Sequence, residues 1–238
     1  MVMQGLAKSR EQAGSLLMSG KVFVNQKRVE KSGQQVPIDS KIDLKGKTHP
    51  WVSRGGIKLE KAILEFNLNC ESVTALDIGA STGGFTDVLL ANGAEKVYAV
   101  DVGYGQLDWK LRQDKRVVVK EKTNARFLTN QIITDPLDAI VCDTSFISLK
   151  KVLPSGLKLL KNNGWLAALI KPQFEVGKGL VGKGGVVRNS ELHKEVKNDI
   201  KNWVRFEMKM NLLGIVDSPI LGPSGNKEFI IVATKLLN

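Results

Sequence analysis

The segment Asp77-Ile78-Gly79-Ala80-Ser81-Thr82-Gly83-Gly84-Phe85-Thr86-Asp87 limits the folds open to this chain more than any other stretch. It follows a short apolar run at 75–78 and leads into a helical pattern at 85–92. A strand that ends in glycines and turns straight into a helix is the opening unit of a parallel α/β sheet. Glycine there lets a ligand approach the backbone at the carboxyl edge of the strands. Strand-sized apolar runs recur at 97–100, 117–119, 139–142 and 166–170, which predicts parallel strands covered on both faces. Two more, 212–216 and 229–234, are joined by Leu221-Gly222-Pro223-Ser224-Gly225-Asn226-Lys227-Glu228. That connection is too short for a crossover, so the last strand is expected to run antiparallel. The expected fold is a mostly parallel seven-stranded α/β sheet with an antiparallel last strand.

Asp101 closes the second strand 22 residues beyond Gly79, where an acid can hold both ribose hydroxyls of an adenosine. Dinucleotides and adenosylmethionine both fit this logic. Ser81 stands where the dinucleotide fingerprint needs glycine. Asp77, just before the first glycine, suits a ligand with a cationic amino-acid end. The turn therefore favours adenosylmethionine while leaving NAD open. A second glycine-rich run, residues 177–183, has the spacing of a phosphate loop, but Gly184 replaces the Ser or Thr that would ligate magnesium. With Lys178, Lys183 and Arg188 it reads instead as a mobile basic loop for a polyanion, or as a plain surface loop.

The charge is uneven. Of a net +11 over 238 residues, positions 1–47 supply +5, from nine Lys and Arg against four Asp and Glu. That density points to a separate module and a polyanionic partner, nucleic acid before a membrane surface. Ser9 with Gln12 forms a capping-box signature; Ala13, Leu16 and Leu17 share a helix face, and Gly20 fits its stop. Val22, Val24 and Val29 alternate around Asn25-Gln26 as a hairpin, and Val36, Ile38 and Ile42 continue an extended stretch to Leu44. Residues 45–50 read as a linker, giving domains 1–47 and 48–238. No apolar run approaches the roughly 18 residues of a membrane span, and no secretion signal opens the chain. Two cysteines, Cys70 and Cys142, build neither a disulfide framework nor a metal cluster, and Cys142 is expected in the core. The expected compartment is the cytosol, with no metal and no membrane partner.

The N-terminal pattern, Ser9-Arg10 through Gly20-Lys21-Val22-Phe23-Val24-Asn25, resembles the S4-type RNA-binding domain. The resemblance implies a small α+β module in which Lys8, Arg10, Lys27 and Arg28 face structured RNA. That family begins with a helix about ten residues earlier, so the module is expected to be short of its first helix.

Asp143 and Lys171 end neighbouring strands and should both point into the crevice. Glu228 begins the last strand, whose start lies on the same edge if it is antiparallel. Nothing in composition selects Lys58 from 35 basic residues. The strings Ser53-Arg54-Gly55-Gly56-Ile57-Lys58-Leu59, the turn at 77–87, Cys142-Asp143-Thr144-Ser145-Phe146-Ile147-Ser148 and Ile170-Lys171-Pro172-Gln173-Phe174-Glu175 go further. Together with Val181-Gly182-Lys183-Gly184-Gly185-Val186-Val187-Arg188 and Gly225-Asn226-Lys227-Glu228-Phe229, they resemble the TlyA family over nearly the whole chain. That resemblance implies a Rossmann-like, FtsJ-like methyltransferase domain that uses S-adenosylmethionine to methylate a ribose 2′-hydroxyl, of cytidine, in ribosomal RNA. It places a catalytic tetrad on Lys58, Asp143, Lys171 and Glu228. Lys171, primed by the like charge of Lys58, would take the hydroxyl proton, and the two acids would hold the lysines. Asp77, Gly79, Ser81, Thr82, Gly83 and Phe85 would shape the methionine pocket, Asp101 would hold the ribose, and Val102, Asn124 and Ala125 would border adenine. The non-catalytic alternatives are that Asp143 caps its own turn with Thr144 and Ser145, and that Glu228 pairs with Lys227 at the surface. At the level of the whole protein, the alternatives are an RNA-binding protein with an idle scaffold and a membrane-active haemolysin, a label many family members carry.

Overall fold

Gly20 and the pair Asn25-Gln26 decide the shape of the first 44 residues. In the computed structural model, helix α1 (Arg10–Met18) stops at Gly20, whose φ of 66° is open to glycine. The N–H groups of Gly20 and Lys21 donate to Leu17 and Leu16 at 2.9 and 3.0 Å, which satisfies the last helical carbonyls. Asn25 and Gln26 both have positive φ, 47° and 67°, the turn that matches strand twist, so β1 (Val22–Val24) folds back onto β2 (Lys27–Arg28). Strand β3 (Ile42–Leu44) pairs with the other edge of β1, and Leu17, Val22 and Val29 form the small core. The extended stretch expected from Val36 onward is shorter than the pattern suggested. Pro37 has no N–H to give a ladder, Ser40 donates to its carbonyl in a turn, and Ile38 is fully exposed.

The structure describes every residue except 8, 19, 30, 32, 45–48, 223, 224, 237 and 238, and all other side chains except those of Gln12, Ser15, Met18 and Lys178. The expectations for Lys8, for the Gln12 half of the capping box, for residues 45–48 of the linker and for the Lys178 side chain lie outside the described residues. The chain divides into two compact units, Met1–Pro50 and Trp51–Asn238.

The second unit runs α2 (Gly55–Phe66), β4 (Thr74–Ile78), α3 (Gly84–Ala91), β5 (Lys96–Val100), α4 (Trp109–Arg112) and β6 (Val117–Lys120). It continues with β7 (Leu137–Cys142), α5 (Leu149–Leu159), β8 (Leu160–Ile170), α6 (Pro172–Glu175), α7 (Ser190–Asn202), β9 (Met210–Asp217) and β10 (Phe229–Lys235). The sheet order is β6-β5-β4-β7-β8-β10-β9, with β10 antiparallel to both neighbours and the pairs from β6 to β8 parallel. The expected sheet is therefore present. Strict alternation explains its continuous apolar runs: Leu76, Ile140, Leu166 and Ile231 face a core shared with α5 and α7, whereas Ala75, Val141, Leu169 and Val232 face one shared with α2 and α3. Strand β8 begins six residues earlier than its apolar run, at Leu160. Its first half, with exposed Lys161, Asn162 and Asn163, carries no hydrophobic signal, and its register against β7 shifts there.

Helices α2 and α3 meet at their N-termini through glycine. A Cβ on Gly84 would lie 2.3 Å from Ser53 Oγ and 2.9 Å from the Gly56 nitrogen. Nearby, the Val52 N–H donates to Asp87 Oδ2 at 2.9 Å. This close approach fixes where α2 begins and hence where its fourth residue, Lys58, points. Gly84→Ala is expected to push the helices apart and lower unfolding free energy by about 1–3 kcal/mol, measured by urea titration.

Candidate functional site

Alternation along β4 sends Asp77 to the α3 side, where it is 1% exposed. Its Oδ2 accepts from the Thr86 N–H and Oγ1 at 3.0 and 2.7 Å, while Oδ1 has no hydrogen-bond partner. Burial pushes this carboxyl up to about 7; the Thr86 bonds oppose the rise, and Asp143 and Asp101 add to it. The glycine turn then passes over it. Gly79 has φ 81°, and a Cβ there would meet Thr144 at 2.9 Å, so only glycine lets the β4 and β7 loops touch.

Two cavities open on this edge. The first, about 320 Å³, is lined by Asp77, Gly79, Ser81, Thr82 and Phe85, and extends to Lys58, Asp143 and Lys171. The second, about 330 Å³, shares Gly79, Ser81 and Asp143 with the first, and takes in Asp101, Val102, Asn124 and Ala125. Asp101 is held by backbone: its Oδ2 accepts from Ser81 at 2.8 Å and its Oδ1 from Gly103 at 2.7 Å. Gly83 departs from expectation. It lines neither cavity; its φ of 93° starts α3, and Leu111 fills the space a side chain would need.

The four charged residues converge as a chain of alternating sign. Lys171 follows the last residue of β8, Asp143 follows β7, and Glu228 immediately precedes β10, whose first residue Phe229 pairs with Ile170. Lys171 Nζ lies 2.5 Å from Asp143 Oδ1; Lys58 Nζ lies 3.1 Å from Asp143 Oδ2 and 2.8 Å from Glu228 Oε2. Lys58, Lys171 and Glu228 are buried. Burial lowers Lys58, but the carboxylates of Asp143 and Glu228 outweigh it and hold it above the ordinary lysine range. Burial likewise raises Asp143, and Lys171 with Lys58 outweighs it, holding the carboxyl below its usual value.

The two contacts offered as alternatives, a cap by Asp143 and a Glu228–Lys227 pair, are not those found among the described residues. Asp143 spends its oxygens on two lysines rather than on capping its turn. Lys227 pairs with Asp217 at 2.8 Å while Glu228 turns inward. The like-charge contact expected between the lysines is also replaced, because Asp143 stands between them with one oxygen for each. Sequence reasoning missed Gly222: a Cβ there would lie 2.3 Å from Glu228 Oε1, so the bare backbone seals that carboxylate. Ser53, Arg54 and Ile220 also line the first cavity; the Ser53-Arg54-Gly55-Gly56 string was the only signal for the first two, and Ile220 carried none.

The polyanion residues fall into two groups. Arg10, Lys27 and Arg28 are exposed on the first unit, with the Arg28 guanidinium lying across Gly20. Lys183 and Arg188 are exposed in the second. The loop expected to be mobile is pinned at one end: Asn226 Oδ1 accepts from the Val187 N–H at 3.0 Å, and its Nδ2 donates to the Gly185 carbonyl at 2.9 Å. Short 3₁₀ turns occupy Lys178–Leu180 and Lys183–Gly185, where a phosphate loop would lead from a strand into a helix, which disposes of that match. Among the described residues no three His, Cys, Asp or Glu side chains cluster as a metal site.

A Rossmann-like parallel sheet with one reversed strand, glycine turn and acid-ended second strand defines a methyltransferase fold, and comparison agrees. Residues 51–235 match the FtsJ-like methyltransferase family, and residues 1–42 match the S4 domain. The chain is 44% identical to the 16S/23S rRNA (cytidine-2′-O)-methyltransferase TlyA of Mycobacterium tuberculosis, over 97% of this chain and 86% of that one. It is 41% identical to Hemolysin A of Brachyspira hyodysenteriae, over 95% and 94%. A solved structure of a hemolysin-named protein from Streptococcus thermophilus superimposes with a TM-score of 0.79 at 43% identity, over 98% and 86%. An archaeal fibrillarin from Aeropyrum pernix, at 15% identity and TM-score 0.53 over 84% of each chain, shares the fold. The chain belongs to the TlyA family, an S4 domain followed by an FtsJ-like methyltransferase domain.

Removing the central carboxylate should cost stability as well as geometry. Asp143→Asn would leave two buried ammonium groups facing a neutral amide, and is expected to lower unfolding free energy at pH 7 by about 3 kcal/mol. Because the folded carboxyl sits below its unfolded value of about 3.9, its contribution is present above that pH and lost as pH falls through the folded value. Urea titrations across pH 2–7 should therefore show a shallower acid-side loss in the variant.

Proposed function

We propose that the chain transfers a methyl group from S-adenosylmethionine to a ribose 2′-hydroxyl of ribosomal RNA, with cytidine as the target nucleoside. The observation that carries this reading is the neutral, ion-paired run Lys171–Asp143–Lys58–Glu228 at the mouth of the cavity floored by Asp77. The names of its relatives support the substrate, and the S4 match with its exposed cations supports an RNA partner.

The residues present fit the donor. Asp77, carrying a buried oxygen without a partner, suits a cationic amino-acid end. The bare Gly79 backbone admits the ligand, and Asp101, already aimed by two N–H groups, has lone pairs left for ribose hydroxyls. S-adenosylmethionine bound there supplies an electrophilic methyl on a sulfonium. Lys171 Nζ, after releasing one proton to solvent to reach its amine form, accepts the proton of the attacking 2′-hydroxyl. The ammonium so formed is received by Asp143 Oδ1, 2.5 Å away. Lys58 keeps Asp143 ionised and is itself neutralised by Glu228, so those three charges stay fixed while Lys171 takes up the proton. This alternation at the cavity mouth supports a reaction site over an idle RNA-binding scaffold.

With purified ribosomal subunits and labelled donor, Lys171→Ala is expected to lower methyl incorporation at least 100-fold. Donor affinity by calorimetry should stay within a few-fold, and the product should map to a cytidine 2′-O position. Equal incorporation by the variant, or label on a base, overturns the reading. Donor affinity should also depend on pH. Since the Asp77 carboxyl titrates near 7 and a cationic ligand needs it ionised, affinity should rise as pH increases through about 7 and level off above. Asp77→Asn should bind more weakly and show no such rise.

A further inference from the structure

A third cavity of about 250 Å³ adjoins the tetrad, lined by Lys171, Glu228, Phe174, Asn226 and the residues Ser145 and Phe146. Among the described residues, Ser145 is the one that lines this cavity and both cavities of the cofactor edge. Its hydroxyl also touches the tetrad: Lys171 Nζ donates to Ser145 Oγ at 3.2 Å. No role was assigned to it from the sequence.

An amine nitrogen at the end of a lysine has two hydrogens and one lone pair. Once the Lys171 ammonium has released one proton, its two remaining hydrogens find two acceptors already in place, Asp143 Oδ1 at 2.5 Å and Ser145 Oγ at 3.2 Å. With both engaged, the nitrogen cannot spin about its Cε bond, and the remaining tetrahedral direction is left for the lone pair. Asp143 alone would leave the second hydrogen and the lone pair free to exchange the two remaining tetrahedral positions. We propose that Ser145 is a positioning residue that sets the direction in which Lys171 presents its lone pair to the ribose hydroxyl. The inference rests on the proposed methyl-transfer reading and adds to it a residue outside the tetrad.

The Ser145 loop is built to hold this direction. Phe146 sits at φ 65°, in the left-handed region, and its ring lies 5.1 Å from that of Phe174 on α6. Glu175, at the end of α6, accepts from Ser148 Oγ at 2.6 Å and from the Leu149 N–H at 2.8 Å. The turn that follows Lys171 is thus tied back to the loop that carries Ser145, at a ring contact and two hydrogen bonds besides the Ser145–Lys171 bond itself. Movement of one segment carries the other.

The test compares Ser145→Ala and Ser145→Thr, the latter keeping the hydroxyl. Ser145→Ala should lower kcat at least 10-fold while donor affinity and KM for RNA change less than 2-fold, and Ser145→Thr should restore kcat to within about 3-fold of the parent. A merely structural role would not give that split or that rescue. In the protein without donor or RNA, the Lys171 side-chain ammonium signal, read by ¹⁵N NMR, should exchange faster with solvent in Ser145→Ala. Parental kcat, or unchanged exchange, overturns the proposal. A parent chain that forms no 2′-O-methyl product would sink the methyl-transfer reading, and the exchange measurement would still decide the role of Ser145.

Discussion

Four charges at the rim of a hydrophobic sheet persist only if they cancel locally, and that requirement organises the second unit. Taking an isolated lysine or carboxylate out of water costs several kcal/mol even after relaxation. Alternation of sign along Lys171, Asp143, Lys58 and Glu228 offsets that cost, since every inner member has an opposite charge on each side. Such a chain adds little net stability over apolar packing of the same volume, but it is intolerant of displacement. Each member comes from a different element, so the ends of β7 and β8, the start of β10 and the first turn of α2 are held in one arrangement. The close glycine contact of α3 with α2 and the seal of Gly222 over Glu228 serve the same arrangement.

Asp77 follows the opposite logic. It too is a buried acid, yet among the described residues no cation pairs with it, and its carboxyl is raised where that of Asp143 is depressed. Two carboxylates of one edge therefore differ in state because one has its counter-charges built in and the other does not. Such a division is what the proposed donor pocket beside a permanent ion-paired framework calls for.

Much of this was legible in the sequence because the responsible signals are local. The glycine turn, the apolar runs of the central strands, Gly20 and the hairpin at Asn25-Gln26 each announce themselves within a few residues. Asp143 and Lys171 could be placed because strand ends in a parallel sheet converge on one edge. What stayed hidden depends on distant partners. The first half of β8 is polar, and backbone pairing with β7 alone makes it a strand. Lys58 is one lysine among many until α2 is seen against Asp143 and Glu228. Asp143 looked able to cap its own turn, and only the distances show it divided between two lysines. Ser145 and Gly222 act through a hydroxyl direction and a missing side chain, and neither leaves a pattern in residue types.

The reversed direction of β10 carries a consequence in time. Because that strand enters the sheet between β8 and β9, with its start at the carboxyl edge of the parallel strands, Glu228 reaches Lys58 only once β10, which follows every other strand of this sheet in chain order, is in place. Until then the nascent chain holds three members of the run with one negative charge between two positive ones, and an unpaired β8 edge beside them. Assembly of the charged run and closure of the sheet are thus a single late event in synthesis. A chain made only as far as β9 therefore lacks the finished charged run.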